Sequence, residues 1–134
     1  MPTTPAYGFV VTLDMPLTEA QPIVEAALKD EGFGVLTEID VKTTLKQKID
    51  VDFEPYVILG ACNPGFAHQA LTIQPNIGLF LPCNVTLHEI DGQTRVSLID
   101  PLQMLSMEGD NPELMEVARG AEEAFRKVEK KLAG

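Results

Sequence analysis

The chain reads as an α+β two-layer sandwich, a mainly antiparallel sheet covered by helices. Three observations predict it. Residues 111–132 form one long amphipathic pattern, whose apolar stripe must lie on a sheet face. Asp91-Gly92 joins two alternating runs, and an Asp-Gly link between such runs signals a hairpin. The remaining apolar segments switch between strand and helix periods, in the order β-α-β-α-β-α-β-β-α.

Residues 7–13 predict the first strand, with Tyr7, Phe9, Val11 and Leu13 on one side. A helix follows. Thr18 and Gln21 have capping-box spacing, and Pro22 is expected in the first turn, where a missing N–H costs least. Ile23, Val24, Ala27 and Leu28 make its apolar stripe, and Gly32 is placed to stop it. Val35, Thr37 and Ile39 alternate in a second strand over 34–40. Val41, Leu45 and Ile49 then recur four apart, predicting a short helix with Lys42, Lys46 and Lys48 toward water.

Residues 55–62 are a nearly continuous apolar run, which predicts a strand buried on both faces or lying under a partner. Asn63 is then a natural N-cap and Pro64 a natural first residue for a helix over 64–72, with Ala67, Ala70 and Leu71 inward. Residues 79–90 alternate, placing Leu79, Leu81, Cys83, Val85 and Leu87 on one side of a strand. A strand over 94–99 follows the turn, with Val96 and Leu98 on one face, and Asp100-Pro101 ends it. The Met-rich stretch 102–110 reads as a loop or a single helical turn. In the last helix Asn111 caps, Pro112 starts, and Leu114, Val117, Ala118, Ala121, Phe125, Val128 and Leu132 form the stripe. Acids lead this helix and lysines trail it, which complements its dipole.

At 134 residues, without an internal repeat or a long linker, the chain is expected to be a single domain over 1–134. Apolar residues make up 45%, enough for a core that needs no staples. Twenty acidic residues against ten basic ones give a formal charge of −10, which argues against nucleic acid or an anionic membrane as partner. The amino terminus has no basic start and no apolar h-region, and no stretch reaches membrane-span length. The expected location is the cytoplasm, where two cysteines remain thiols.

The residues with the greatest chemical promise are Cys62 and Cys83, twenty-one positions apart and each beside a proline-bearing segment, Cys62-Asn63-Pro64 and Leu81-Pro82-Cys83. A thiol just before a helix amino terminus is near N–H groups that favour an anion, which can make it nucleophilic. The opposing reading is a small hydrophobe packed at a strand end, since free cysteine is among the most buried residue types. His68 could assist Cys62 as a base or simply lie on a helix surface. With His88, these residues have the donor types of a zinc site. However, Cys83 and His88 are five apart on one predicted strand and should project to opposite faces, so no metal is assigned. Asp50, Asp52 and Glu54 share a face when extended and read as a solvated edge. No GxSxG, P-loop or GxGxxG motif is present, and no cofactor is implied.

Ala27 to Glu89 resembles domain of unknown function 302 (DUF302), a prokaryotic family without an agreed activity. The likeness rests on Leu28-Lys29-Asp30-Glu31-Gly32-Phe33-Gly34, Glu38-Ile39-Asp40-Val41, Tyr56 to Pro64, Ala67-His68, Gly78-Leu79 and Leu81-Pro82-Cys83-Asn84-Val85, with Asp100-Pro101 beyond. The resemblance implies a TATA-binding-protein-like β-α-β(4)-α core with extra short helices, and small homodimers. It also makes Cys62, Asn63, Pro64, Pro82 and Cys83 the positions where a shared site would lie. The expected function is a non-enzymatic domain that binds a small ligand or a protein as a homodimer, with Cys62, Asn63, Pro64, His68, Pro82 and Cys83 as the site. The alternatives are thiol redox or sulfur-carrier chemistry at Cys62 and Cys83, and a purely structural assembly subunit.

Overall fold

The computed structural model describes residues 4–134; residues 1–3, where the reading of the amino terminus begins, lie outside the described residues. The chain runs β1 (Gly8–Leu13), α1 (Leu17–Asp30), β2 (Gly34–Asp40), α2 (Val41–Ile49), β3 (Tyr56–Cys62) and α3 (Pro64–Ile73). A 3₁₀ helix (Pro75–Phe80), β4 (Cys83–Ile90), β5 (Gln93–Ile99), α4 (Pro101–Leu105), a 3₁₀ turn (Ser106–Glu108) and α5 (Pro112–Ala133) complete it. This is the expected β-α-β(4)-α core with short helices inserted. The five strands form one sheet in the order β1-β5-β4-β3-β2, with every neighbouring pair antiparallel.

One sheet face carries the core. Phe9, Val11, Leu13, Val57, Leu59, Ala61, Cys83, Val85, Leu87, Val96 and Leu98 meet Leu17, Ala20, Val24, Ala27 and Leu28 of α1 and Phe125, Val128 and Leu132 of α5. Phe125 stacks on Phe33 with ring centroids 4.4 Å apart, and the Arg126 guanidinium lies 4.4 Å from the Phe9 ring centroid. A second, smaller cluster of Ala70, Ile77, Leu105, Leu114 and Ala118 joins α3, the 3₁₀ helix, α4 and the first half of α5. On the other sheet face every side chain is half-buried or exposed, Gly60 alone being buried there. Within the chain, then, the run at 56–62 is buried on one face only: Val57, Leu59 and Ala61 are buried, whereas Tyr56 and Ile58 are half-buried.

Caps explain where several helices start. The side chains of Asp40, Asn63, Asp100 and Asn111 accept hydrogen bonds from the first free N–H groups of α2, α3, α4 and α5. Asp91 and Gly92 both have positive φ, 54° and 80°, as the tight turn between β4 and β5 requires.

Several expectations need correction. Thr18 does not cap α1. The helix begins at Leu17, two residues before a Thr18 cap would start it, and its amino end is held from outside, by the Leu17 N–H donating to Glu89 Oε1 at 2.8 Å. Pro22 therefore lies beyond the first turn. Ile23 is exposed, because the buried stripe runs through Leu17, Ala20, Val24, Ala27 and Leu28 instead. Nothing on α2 is buried, Val41 and Leu45 being half-buried and Ile49 exposed. Leu71 is exposed on α3. The strand expected from residue 79 begins at Cys83; residues 75–80 coil as a 3₁₀ helix that leaves Leu79 in solvent. In the segment 102–110, expected as a loop or a single helical turn, the second reading fits: it continues a short helix that Asp100 and Pro101 start. Among the described residues no helix is long and apolar enough to cross a membrane.

Phe125 and Glu89 mark two different debts to tertiary structure. Phe125→Ala is expected to destabilise by about 3–5 kcal/mol through the cavity it leaves. Glu89→Ala, which frees the amino end of α1, is expected to cost about 0.5–2 kcal/mol. Urea denaturation reads both; a Glu89→Ala midpoint equal to wild type would show that this cross-fold cap contributes nothing.

Candidate functional site

Cys62 is the last residue of β3, Asn63 the N-cap of α3, and Cys83 the first residue of β4. In the β3–β4 ladder Ala61 pairs with Cys83, so Cys62 lies one residue past the cross-strand partner. Asn63 Oδ1 accepts from the N–H groups of Gly65 (3.1 Å) and Phe66 (3.3 Å), which ties the start of α3 to the strand end. Those two donors are thereby committed to the Asn63 side chain.

Cys62, Asn63 and Cys83 border one hollow of about 40 Å³, together with Phe33, Phe66, Leu81, Met104 and Ala121. It lies at the seam of the two hydrophobic clusters, since Leu81 and Met104 pack against both. Gly120 helps to shape it: a Cβ there would come within 2.8 Å of Phe66 Cε1, so the glycine lets Phe66 of α3 approach α5 closely. Its walls are mostly apolar.

Both cysteines are free thiols, Cys62 half-buried and Cys83 buried. Burial, reinforced by the charge of nearby Cys62, pushes the Cys83 thiol from 9.0 up to about 11. Cys83 is therefore protonated at neutral pH and a poor nucleophile.

The other expected site residues are dispersed. His68 is exposed and borders a separate open groove of about 570 Å³ between α3 and α5, with Gln69, Thr72, Glu113 and Glu116. It does not line the hollow beside the thiols. Pro64 is exposed. Pro82 packs instead beside Gly60 on the opposite sheet face, 2.7 Å from where a Gly60 Cβ would stand. His88 is on that face too, its Nε2 2.9 Å from Glu54 Oε1 and its ring against Tyr56 and Phe53. This hydrogen bond holds the Glu54 carboxyl below its usual range. Asp50 and Asp52 both pair with Lys46. Among the described residues no group of three or more His, Cys, Asp or Glu side chains could hold a metal.

Sequence reasoning missed Phe33, Phe66, Met104 and Ala121 as neighbours of the thiols. For Met104 a signal existed: Asp100-Pro101 repeats the cap-and-proline start of Asn63-Pro64 and Asn111-Pro112, and predicts a helix that would carry it inward.

The sequence profile of the family described as "Domain of unknown function DUF302" matches residues 9–133. The fold is similar to the crystal structure of an uncharacterized conserved protein DUF302 from Bacillus stearothermophilus, at a TM-score of 0.86 and 30% identity. That likeness covers 96% of this chain and 99% of the other. No curated protein matches the chain in sequence.

The thiols should behave unequally. Ellman's reagent at pH 8 is expected to titrate Cys62 in the native protein and Cys83 only after unfolding. Because Cys83 keeps its proton longer when folded, stability is full below about pH 9 and falls between 9 and about 11 as the unfolded chain alone ionises, levelling off above. The loss is on the order of 2–3 kcal/mol. Urea titrations at pH 8 and pH 11 should show this extra slope in wild type and not in Cys83→Ala; equal slopes would refute the burial of the thiol.

Proposed function

The chain belongs to the DUF302 family, and we propose that it acts as a non-enzymatic binding domain whose ligand site is the hollow beneath Cys62, Asn63 and Cys83. One observation carries this reading: Cys62 and Cys83 border a single largely apolar hollow, and no His, Lys, Asp or Glu is among the described residues that line it. Covalent catalysis at Cys62 would require a neighbouring base and an electrophile-stabilising group. His68, the nearest candidate in sequence, borders a different groove. Redox cycling through Cys83 as resolving thiol would require its thiolate, which burial disfavours. Binding asks neither of these. The ligand is small, on the scale of a few atoms, because the cavity is about 40 Å³.

The domain works as a homodimer in a reducing cytoplasm. The support lies in the second sheet face, where Ile39, Ile58, Thr86, Ser97 and Val10 line up as successive cross-strand partners, none of them buried. A half-apolar row of that kind gains free energy when a second copy covers it. A net charge of −10 argues against nucleic acid as the alternative partner.

A thermal-shift screen of small sulfur compounds, small apolar molecules and metal ions tests the site. A true ligand at a hundredfold excess over its Kd should stabilise by about 2.7 kcal/mol, a melting shift of roughly 5 °C or more. Ala121→Val, which fills the hollow, should abolish that shift; silence across the whole screen would overturn the binding reading. For assembly, light scattering is expected to give a dimer mass for wild type and a monomer mass for Ile58→Asp. A wild-type monomer would remove the dimer.

A further inference from the structure

Helices α3 and α5 meet where Phe66 approaches Gly120, and beside that contact they border an open groove of about 570 Å³. Its floor is apolar: Phe66 and Ile73 from α3 and Val117 from α5, all three half-buried. The exposed side chains of Glu113 and Glu116 on α5 form one bank, and those of His68 and Gln69 on α3 form the other. Phe66 and Val117 also border the hollow, so they are the wall between the two spaces. We propose that this groove is a second binding site, separate from the hollow, and that it takes a small amphipathic amine. The apolar or aromatic body of that ligand covers the floor, and its ammonium group sits at the two glutamates.

Charge selects the head group. Glu113 and Glu116 are three residues apart on one helix, so their side chains are neighbours on its surface. Glu113 has no cationic partner among the described residues. Glu116 engages Arg119 through Oε1 at 2.9 Å, an exposed pair of the kind that contributes little. A cation that settles between the two carboxylates gains both as acceptors. An anion would be repelled by both, on a chain whose net charge is −10. Among the described residues no three His, Cys, Asp or Glu side chains are placed to hold a metal, so the fitting cation is organic.

Size and surface select the body. A volume of about 570 Å³ is within the range of small-molecule sites, roughly 300–1,000 Å³, and has room for one or two rings. The Phe66 ring is wedged against α5, where a Cβ on Gly120 would come within 2.8 Å of its Cε1. It is therefore a fixed platform. Aromatic faces stack on flat rings and attract ammonium groups. Covering Ile73 and Val117, which are only half-buried, removes apolar surface from water and adds to the binding free energy. On the far bank the Gln69 amide offers both a donor and an acceptor to polar substituents.

The test is an amide NMR titration of the wild-type protein with three probes that share an indole body: tryptamine (cationic), tryptophol (neutral) and indole-3-propionate (anionic). The expected result is saturable tryptamine binding, with shifts confined to α3 and the first turns of α5. Tryptophol should bind about tenfold more weakly, as loss of two exposed ion pairs implies, and indole-3-propionate should not saturate. Glu113→Gln should weaken tryptamine by about three- to fivefold and leave both the melting temperature and tryptophol binding unchanged. Ala121→Val, which alters the hollow but does not line the groove, should leave tryptamine affinity as in wild type. No saturable shift at millimolar tryptamine overturns the proposal. So does tryptophol binding as tightly as tryptamine, or a Glu113→Gln, Glu116→Gln double variant that binds like wild type. If Ala121→Val abolishes tryptamine binding, the amine belongs to the hollow: the separate groove falls and the binding reading above stands.

Discussion

Helix α5 is the element on which the rest of this structure depends, because it supplies buried side chains to both hydrophobic clusters. Its carboxyl-terminal half puts Phe125, Val128 and Leu132 into the core against the sheet. Its amino-terminal half puts Leu114 and Ala118 into the smaller cluster with α3, α4 and the 3₁₀ helix. Buried apolar contact of this extent is the main favourable term in folding. A helix that serves two clusters cannot relax into one without disturbing the other.

The hollow at the thiols is a consequence of that double duty. At the seam the helix presents small residues, Ala121 and Gly120, where a larger side chain would have to choose a cluster. Phe66 comes against α5 at Gly120, while Leu81 and Met104 bridge the two clusters from below. Protein interiors otherwise leave few voids. A hollow bordered by Cys62, Cys83 and Met104, at the join of separately packed clusters, is thus a gap that the packing itself leaves. It also explains the contrast between the cysteines: Cys83 belongs to the main core, and Cys62 to the strand end where chain and solvent meet.

Much of the fold was legible because it is dictated locally. Asn63-Pro64 and Asn111-Pro112 announce their helices through a cap side chain and a proline that needs no donor, and both helices start there. Asp91-Gly92 announces its turn because both positions need positive φ. Where local signals failed, a distant partner decided. Glu89, seventy-two residues from Leu17, holds the start of α1, so Thr18 never acts as its cap. Leu79 and Leu81 continue the alternation of β4 in sequence, yet residues 75–80 coil into a 3₁₀ helix, and only Cys83 onward finds a partner in β3. Of the six expected site residues, Cys62, Asn63 and Cys83 converge on the hollow; Pro64, His68 and Pro82 do not.

The amino-acid order alone settles the α+β class, the element order, the hairpin and the buried stripe of the last helix, because periodicity, caps and turn chemistry act over a few residues. Only the tertiary structure decides that Cys62 and Cys83 share a hollow, that Met104 joins them, and that His68 faces elsewhere. Those facts depend on how β3, β4, α3, α4 and α5 pack together, and side chains from five separate stretches of chain carry no mutual signal until packing brings them within a few ångströms.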